Sequence, residues 1–96
     1  MLDTLITSKT RLRLLFTLFV DPNNEGYLRG FANDFGDSTN AIRKELNRLY
    51  EAQYLVKFDK GNRVYYKANT QHVLYQDLQR LLITVQNNEG TKSNQL

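Results

Sequence analysis

Apolar residues recur at three- and four-residue steps near the start of the chain, which predicts a helix. The repeat consists of Leu12, Leu15, Phe16 and Phe19. Thr7 or Ser8 can cap this helix, because a side-chain oxygen there accepts a hydrogen bond from a free backbone N–H group. The helix must end near Asp21, since Pro22 disfavours a helical residue before it and residues 23–26 are typical of a turn.

Two more helices are predicted around a tight turn. A short helix at 28–35 has an apolar face made of Leu28, Phe31, Ala32 and Phe35. Gly36 ends it, since glycine readily adopts the left-handed conformation that follows many helices. Asp37 or Ser38 can cap the next helix, which covers 38–52 and turns inward an apolar stripe of Ile42, Leu46 and Leu49. The opposite face of this third helix is polar.

The following segment has the composition of a β-hairpin. Its strands, 55–58 and 63–67, are rich in β-branched and aromatic residues and are joined by a polar turn. If the hairpin closes at Lys60 and Gly61, its strands place on one face Val56, Phe58, Val64 and Tyr66. The expected result is a small two-stranded ribbon with a charged tip.

The end of the chain divides into a helix and a polar tail. The helix can open at Asn69 or Thr70 and has an apolar seam of Leu74, Leu78, Leu81, Leu82 and Val85. Residues 87–96 are too polar to bury enough surface to offset the entropy of ordering. In a chain of 96 residues we therefore expect one domain at 1–86 and a disordered tail at 87–96.

Positive charge is concentrated in one segment. Residues 38–67 contain seven basic and three acidic residues, a net charge of +4, whereas residues 1–37 and 68–96 carry −1 and 0. An ordinary solvated surface would mix the two signs. A cationic helix followed by a cationic hairpin is typical of a protein that binds a phosphate backbone.

Composition argues against several other classes of protein. The chain has no cysteine, so it offers neither a disulfide nor a thiolate metal site and suits a reducing cytoplasm. No apolar run approaches the ~20 residues that span a bilayer, and nothing resembles a secretory signal. No Ser/His/Asp spacing, paired carboxylates or phosphate-binding glycine loop is present. We therefore expect no enzyme activity, no cofactor and no membrane association.

The order of these elements resembles a winged helix-turn-helix domain over about residues 7–85. Residues 27–36 are similar to the first helix of the motif in ArsR/MarR-type bacterial transcriptional regulators, residues 37–52 to the recognition helix, and residues 61–67 to the wing and its return strand. The chain departs from the family at Gln53, where relatives often have glycine. It also lacks the cysteine and histidine pairs of the metal-sensing branch.

The resemblance implies a mainly α fold with a small β-hairpin wing, sequence-specific binding of double-stranded DNA, and a role in transcriptional regulation. The recognition helix 38–52 would enter the major groove, and the wing 55–67 would lie on the backbone or in the minor groove. The expected DNA-binding residues are Ser38, Thr39, Asn40, Arg43, Lys44, Asn47, Lys60, Asn62 and Arg63. Arg43 could pair with guanine and Asn40 with adenine.

We also expect a homodimer formed through the terminal helices, because Leu2, Leu5 and Ile6 add to the leucine seam of the last helix. A prokaryotic cytoplasmic, nucleoid-associated location would follow. Two alternatives stay open: a winged-helix protein-interaction module or adaptor without DNA specificity, and binding of single strands by Tyr65 and Tyr66.

Other candidate residues have simpler explanations. Arg11, Arg13 and Arg29 could contact the DNA backbone, but helix-flank arginines are often only solvated, which is the favoured interpretation. Core or dimer packing accounts most readily for Tyr65, Tyr66 and Tyr75. A capping or surface role is expected for the single histidine, His72.

Overall fold

The computed structural model describes the backbone of residues 1–95 and the side chains of residues 1–89. Over these residues the elements in chain order are a 3-10 helix (Leu2–Thr4), α1 (Lys9–Phe19), β1 (Glu25–Tyr27), α2 (Leu28–Phe35), α3 (Thr39–Glu51), β2 (Leu55–Lys60), β3 (Arg63–Ala68) and α4 (Tyr75–Gln95). The strands form an antiparallel sheet in the order β1-β3-β2. This is the predicted mainly α fold with a small β-hairpin wing.

The apolar core is built around α1 and α3. Its α3 side consists of Ile42, Leu46 and Leu49, which confirms the predicted stripe. The buried residues of α1 are Leu14, Leu15, Leu18 and Phe19, whereas Leu12 and Phe16 are half-buried. The predicted face of α1 was therefore partly wrong. Because α1 packs against α3, α4 and β3 at once, more than one stripe of its surface leaves water.

The turn between α2 and α3 follows from its sequence. The predicted bounds of α2 are confirmed, and Gly36 after it is left-handed, with φ of 71°. Ser38 caps α3, since its hydroxyl oxygen accepts the backbone N–H of Ala41 at 3.1 Å. The helix proper therefore begins one residue later, at Thr39.

The end of α3 is closed without glycine. Gln53 adopts the left-handed conformation, with φ of 67°. Its N–H donates to the carbonyl of Tyr50 and the N–H of Tyr54 donates to that of Leu49, both at 2.9 Å, which is the Schellman pattern. Gln53 thus takes the conformation that glycine often supplies, at the steric cost of its Cβ.

The sheet has a third strand that the sequence analysis missed. β1 covers Glu25–Tyr27 and pairs with β3, with Glu25 opposite Lys67 and Tyr27 opposite Tyr65. The turn predicted at residues 23–26 is therefore wrong at its last two residues, Glu25 and Gly26, which belong to β1. A three-residue strand has too few residues to show a period, and its partner lies some forty positions away along the chain.

The turn of the hairpin lies one residue later than expected. Lys60 pairs with Arg63, so the turn consists of Gly61 and Asn62, and Gly61 has the positive φ, 64°, that a two-residue hairpin turn requires. This register pairs Phe58 with Tyr65 and Lys57 with Tyr66. The predicted common face of Val56, Phe58, Val64 and Tyr66 is wrong, because paired residues share a face and the partners of Val64 and Tyr66 are Asp59 and Lys57.

A linker held by hydrogen bonds follows β3, where the start of a helix was predicted. Asn69 accepts the N–H of Gln71 at 3.0 Å and donates its side-chain amide to the carbonyl of Gln53 at 2.8 Å. His72 Nδ1 accepts the N–H of Leu74 at 3.0 Å, so the ring proton lies on Nε2, which is 3.2 Å from the carbonyl oxygen of Ala52. The linker therefore fastens the end of α3 to the start of α4.

α4 begins at Tyr75, later than expected, and runs to Gln95. Tyr75 is buried against Phe19, with ring centroids 5.5 Å apart, and burial raises the pKa of its phenol. Of the predicted seam, Leu82 and Val85 are buried, Leu78 is half-buried, and the others are exposed. The proposed division at residue 86 stays a prediction, because the side chains beyond residue 89 and all of residue 96 lie outside the described residues.

Candidate nucleic-acid interface

All nine side chains predicted to bind DNA are exposed to solvent. Six of them lie on α3 or just before it, and three lie at the tip of the hairpin. Nothing in the described part of the chain covers either group. The two groups define what is here called the candidate interface: α3 residues 38–47 and wing-tip residues 60–63.

The outward face of α3 carries a preformed contact between two of the candidate residues. Arg43 donates from Nη1 to the side-chain oxygen of Asn40 at 2.8 Å. These residues are three apart, so they are neighbours on one helix face. Lys44 and Asn47 extend the same exposed surface. A helix with short polar residues in its first turn and an arginine just beyond suits the recognition of base edges.

An ion pair that sequence reasoning missed positions α3 from behind. Glu45 is 6% exposed, and its carboxylate accepts Arg11 Nε at 2.7 Å and Arg11 Nη2 at 3.3 Å. Arg48 lies 3.8 Å from the same carboxylate. The sequence did contain a signal, because Glu45 is three residues after Ile42 and therefore shares the buried side of the helix. A charge at such a position needs a partner.

A second set of contacts holds the turn before α3. Asp37 accepts the Thr10 hydroxyl at 2.8 Å and lies 3.5 Å from Arg13. Arg13 also donates to the carbonyl of Phe35 at 3.1 Å. Two of the three arginines expected to be merely solvated, Arg11 and Arg13, therefore tie α1 to the helix-turn-helix.

At the wing tip, Lys60 is held by an acidic residue from β1. Its Nζ donates to Glu25 Oε2 at 2.8 Å and lies 5.2 Å from the centre of the Tyr65 ring. The hydrogen bond to Glu25 and its negative charge raise the pKa of Lys60 above its ordinary value. Lys60 is therefore firmly cationic, but in this state its charge is partly neutralised.

Two other wing cations lie over tyrosine rings. Arg63 is 4.3 Å from the centre of the Tyr27 ring, and Lys57 is 4.3 Å from that of Tyr50. Tyr65 packs between Tyr27 at 5.3 Å and Phe58 at 5.9 Å. The tyrosines thus support the cations and one another, which agrees with the expected packing role of Tyr65.

His72 is held in the linker by contacts on both of its ring nitrogens. His72 stacks on Tyr54 at 4.2 Å and makes the linker hydrogen bonds described above, so it has a structural role near the start of α4. Within residues 1–89, no group of three His, Asp or Glu side chains is arranged to hold a metal ion. Over the same part of the chain, no helix is both long enough and apolar enough to cross a bilayer.

These elements define a winged helix-turn-helix fold: α2, a glycine turn and α3 form the motif, and β2 and β3 form the wing. Solved structures share the fold. AdcR, an adhesin competence repressor from Streptococcus pyogenes, superposes with a TM-score of 0.75 at 13% identity, over 98% of this chain and 69% of that one. Reduced HlyU from Vibrio cholerae gives 0.67 at 15% identity, over 90% and 82% of the two chains.

A third structure is that of Mb0332 from Mycobacterium bovis, described as a homodimeric winged helix-turn-helix DNA-binding domain and a possible ArsR-family regulator. It gives a TM-score of 0.62 at 20% identity, over 93% of this chain and 75% of that one. No protein-family model matches the sequence, and no curated protein matches it significantly. At these identities the likeness establishes the fold.

Proposed function

We propose that this protein binds double-stranded DNA sequence-specifically and regulates transcription. The observation that supports this most directly is the candidate interface itself. α3 buries Ile42, Leu46 and Leu49 and leaves a polar, cationic face exposed beside a cationic wing. Such a helix on a packed platform has the shape and charge to enter a major groove. The solved structures of the same fold include proteins described as a repressor and as a transcription regulator.

The two parts of the interface have different proposed roles. Thr39, Asn40, Arg43 and Lys44 face the base edges, with Arg43 pairing to guanine and Asn40 to adenine, and with Ser38 and Asn47 at the margins of that contact. Lys60, Asn62 and Arg63 contact phosphate or the minor groove. Phosphate contacts supply most of the affinity, and α3 supplies the selectivity.

The proposed functional unit is a homodimer formed through the terminal helices. Exposed apolar side chains support this assembly, among them Leu5 at 77% and Leu81 at 42% exposure. Mb0332, which has the same fold, is described as homodimeric. A two-fold dimer would present two α3 helices to half-sites whose centres are about 10 bp apart, or a multiple of that. The DNA target would then be a pseudo-palindrome. In this proposal the protein is a nucleoid-associated regulator of a prokaryotic cytoplasm and not an enzyme.

Selection of bound fragments from random duplex DNA tests the proposal. We expect enrichment of one pseudo-palindromic sequence, and an affinity for it that falls steeply between about 50 and 200 mM salt. Arg43→Ala should relax the base preference at one position of each half-site. Lys60→Ala should weaken binding to all duplexes similarly. It should also reduce the slope of log affinity against log salt concentration by about the amount expected for one phosphate contact.

The alternative outcomes identify the competing functions. Binding to a protein partner without any duplex affinity would instead support the interaction module. A preference for unpaired strands would support the single-strand alternative. Unchanged duplex binding by both variants would contradict the proposed interface.

A further inference from the structure

The contact between Lys60 and Glu25 joins two residues that lie far apart along the sheet. Lys60 lies opposite Arg63 on the neighbouring strand, and Glu25 lies opposite Lys67. Those two β3 positions are separated by roughly 13 Å along the strand at ordinary strand geometry. To meet Glu25 at 2.8 Å, the Lys60 side chain must fold back from the wing tip, across β3 and past the Tyr65 ring.

The surroundings of this contact resemble a site for a phosphate oxygen. The Glu25 carboxylate is a bidentate oxygen anion, as a phosphodiester is, and it accepts a charge-assisted hydrogen bond from Lys60. Arg63, the cross-strand neighbour of Lys60, is held over the Tyr27 ring. Lys60 is 61% exposed and Glu25 is 29% exposed, so an external anion can reach the ammonium.

We propose that Glu25 is an internal competitor for the phosphodiester site that Lys60 and Arg63 form at the wing, and that it lowers the affinity of the wing for the DNA backbone. This inference rests on the proposed function. In the free protein the Glu25 carboxylate accepts the hydrogen bond of the Lys60 ammonium. On binding, a phosphate replaces it, and the ammonium moves away from Glu25 toward the tip.

The size of the effect follows from the exposure of the pair. An exposed ion pair has a free energy of about 0.2–1 kcal/mol, so its loss on binding weakens affinity by up to about fivefold. Glu25→Gln keeps the shape of the side chain and removes its charge. We expect this variant to bind any duplex about two- to fivefold more tightly at 50 mM salt, with a smaller gain at 200 mM because salt screens exposed charges.

A matched control separates this contact from a general change in charge. Asp59 is the residue before Lys60 on β2, so it points to the opposite face of the strand, and it is exposed. Asp59→Asn changes the net charge of the protein by the same amount as Glu25→Gln. We expect Asp59→Asn to tighten duplex binding by clearly less than Glu25→Gln. Equal gains would overturn the inference, because net charge alone would then explain both.

A double variant tests whether Glu25 acts through Lys60. In a Lys60→Ala background, Glu25→Gln should have almost no effect on duplex affinity, since the contact is already absent. A gain as large as in the wild-type background would overturn the inference, because the carboxylate would then be repelling DNA directly. Melting temperatures measured in parallel should stay close to that of the wild type, as expected for an exposed pair.

Failure of this inference can be distinguished from failure of the proposed function. If the unmodified chain binds duplex DNA with a steep salt dependence but Glu25→Gln does not tighten binding, the competitor role alone is wrong. If the unmodified chain and all variants ignore duplex DNA, the proposed function itself is wrong, and the competitor role falls with it.

Discussion

The cations of α3 lie on a helix whose other side is buried, whereas those of the wing lie on a hairpin that the core holds at its base. Ile42 and Leu46 of α3 have no exposed surface, and Arg11 binds the buried carboxylate of Glu45 from behind. In the hairpin, Leu55 and Ala68 at the base are buried, while the tip is exposed. The core therefore fixes the orientation of α3 far more firmly than that of the wing tip.

The difference matches the demands of the two proposed contacts. Reading base edges requires hydrogen-bond donors held in a fixed geometry, which a packed helix provides. Contact with phosphate tolerates adjustment, because the backbone presents the same charge at every step. The exposed cations of the two regions also differ in their hydrogen-bond partners. Arg43 donates to the neutral amide of Asn40, whereas Lys60 donates to the carboxylate of Glu25. Substitutions that change the stability of each region test this comparison.

The largest expected effect comes from removing the buried support of α3. Leu46→Ala should lower the free energy of unfolding by about 2–5 kcal/mol, because it deletes a fully buried side chain and leaves a cavity. Urea denaturation measures this. Asn47→Ala, on the exposed face of the same helix, serves as the control and should change stability by less than about 0.5 kcal/mol. Similar losses in both variants would show that α3 is not anchored as described.

Removing the ionic support of α3 should have the next largest effect. Arg11→Ala leaves the Glu45 carboxylate buried without its main partner and should cost about 1–3 kcal/mol of stability. A double-mutant cycle with Glu45→Gln measures the coupling, which we expect to be about 0.5–3 kcal/mol. A coupling near zero would show that the pair does not hold the helix. Arg29→Ala, at an exposed position of α2, is the matched control.

The junction between α3 and the wing should respond in the opposite direction. Gln53 is left-handed, so Gln53→Gly should stabilise the fold by about 1 kcal/mol by relieving the strain of the Cβ. Gly36→Ala, at the left-handed position after α2, should destabilise it by a similar amount. Thermal unfolding of the Gln53→Gly and Gly36→Ala variants tests these two expectations. If Gln53→Gly were destabilising, a contact of the Gln53 side chain would have to outweigh the strain.

The smallest effect is expected in the wing. Val64 is 44% exposed, so Val64→Ala should lower stability by no more than about 0.5 kcal/mol. This is the same kind of apolar truncation as Leu46→Ala, made in the other region. A loss of 2 kcal/mol or more in urea denaturation would erase the distinction between the two regions. The wing tip would then have to be counted as part of the cooperative core.

Local patterns in the sequence were sufficient to predict the helices around the turn. The bounds of α2, the left-handed Gly36 and the Ser38 cap depend on residues within a few positions of one another. The same holds for the inward stripe of α3. These features were confirmed because period, capping and glycine conformation are properties of short segments.

Features that depend on distant partners were missed. β1 exists because it pairs with β3, and the burial of Glu45 depends on Arg11, 34 residues earlier. The hairpin register required a choice between two adjacent turn positions, which strand composition does not decide. For the candidate interface, exposure agrees with the prediction at all nine positions. Their contacts with DNA stay predictions.

The linker between β3 and α4 has a mechanical consequence. Asn69 holds the carbonyl of Gln53 at 2.8 Å, and His72 lies 3.2 Å from that of Ala52 while it also accepts the N–H of Leu74. These bonds link the residues that directly follow α3 to those that directly precede α4. A displacement of α4 would therefore be transmitted through these bonds to the end of α3. If α3 enters a DNA groove as proposed, a molecule that docks on α4 would change the angle of α3 without approaching the DNA.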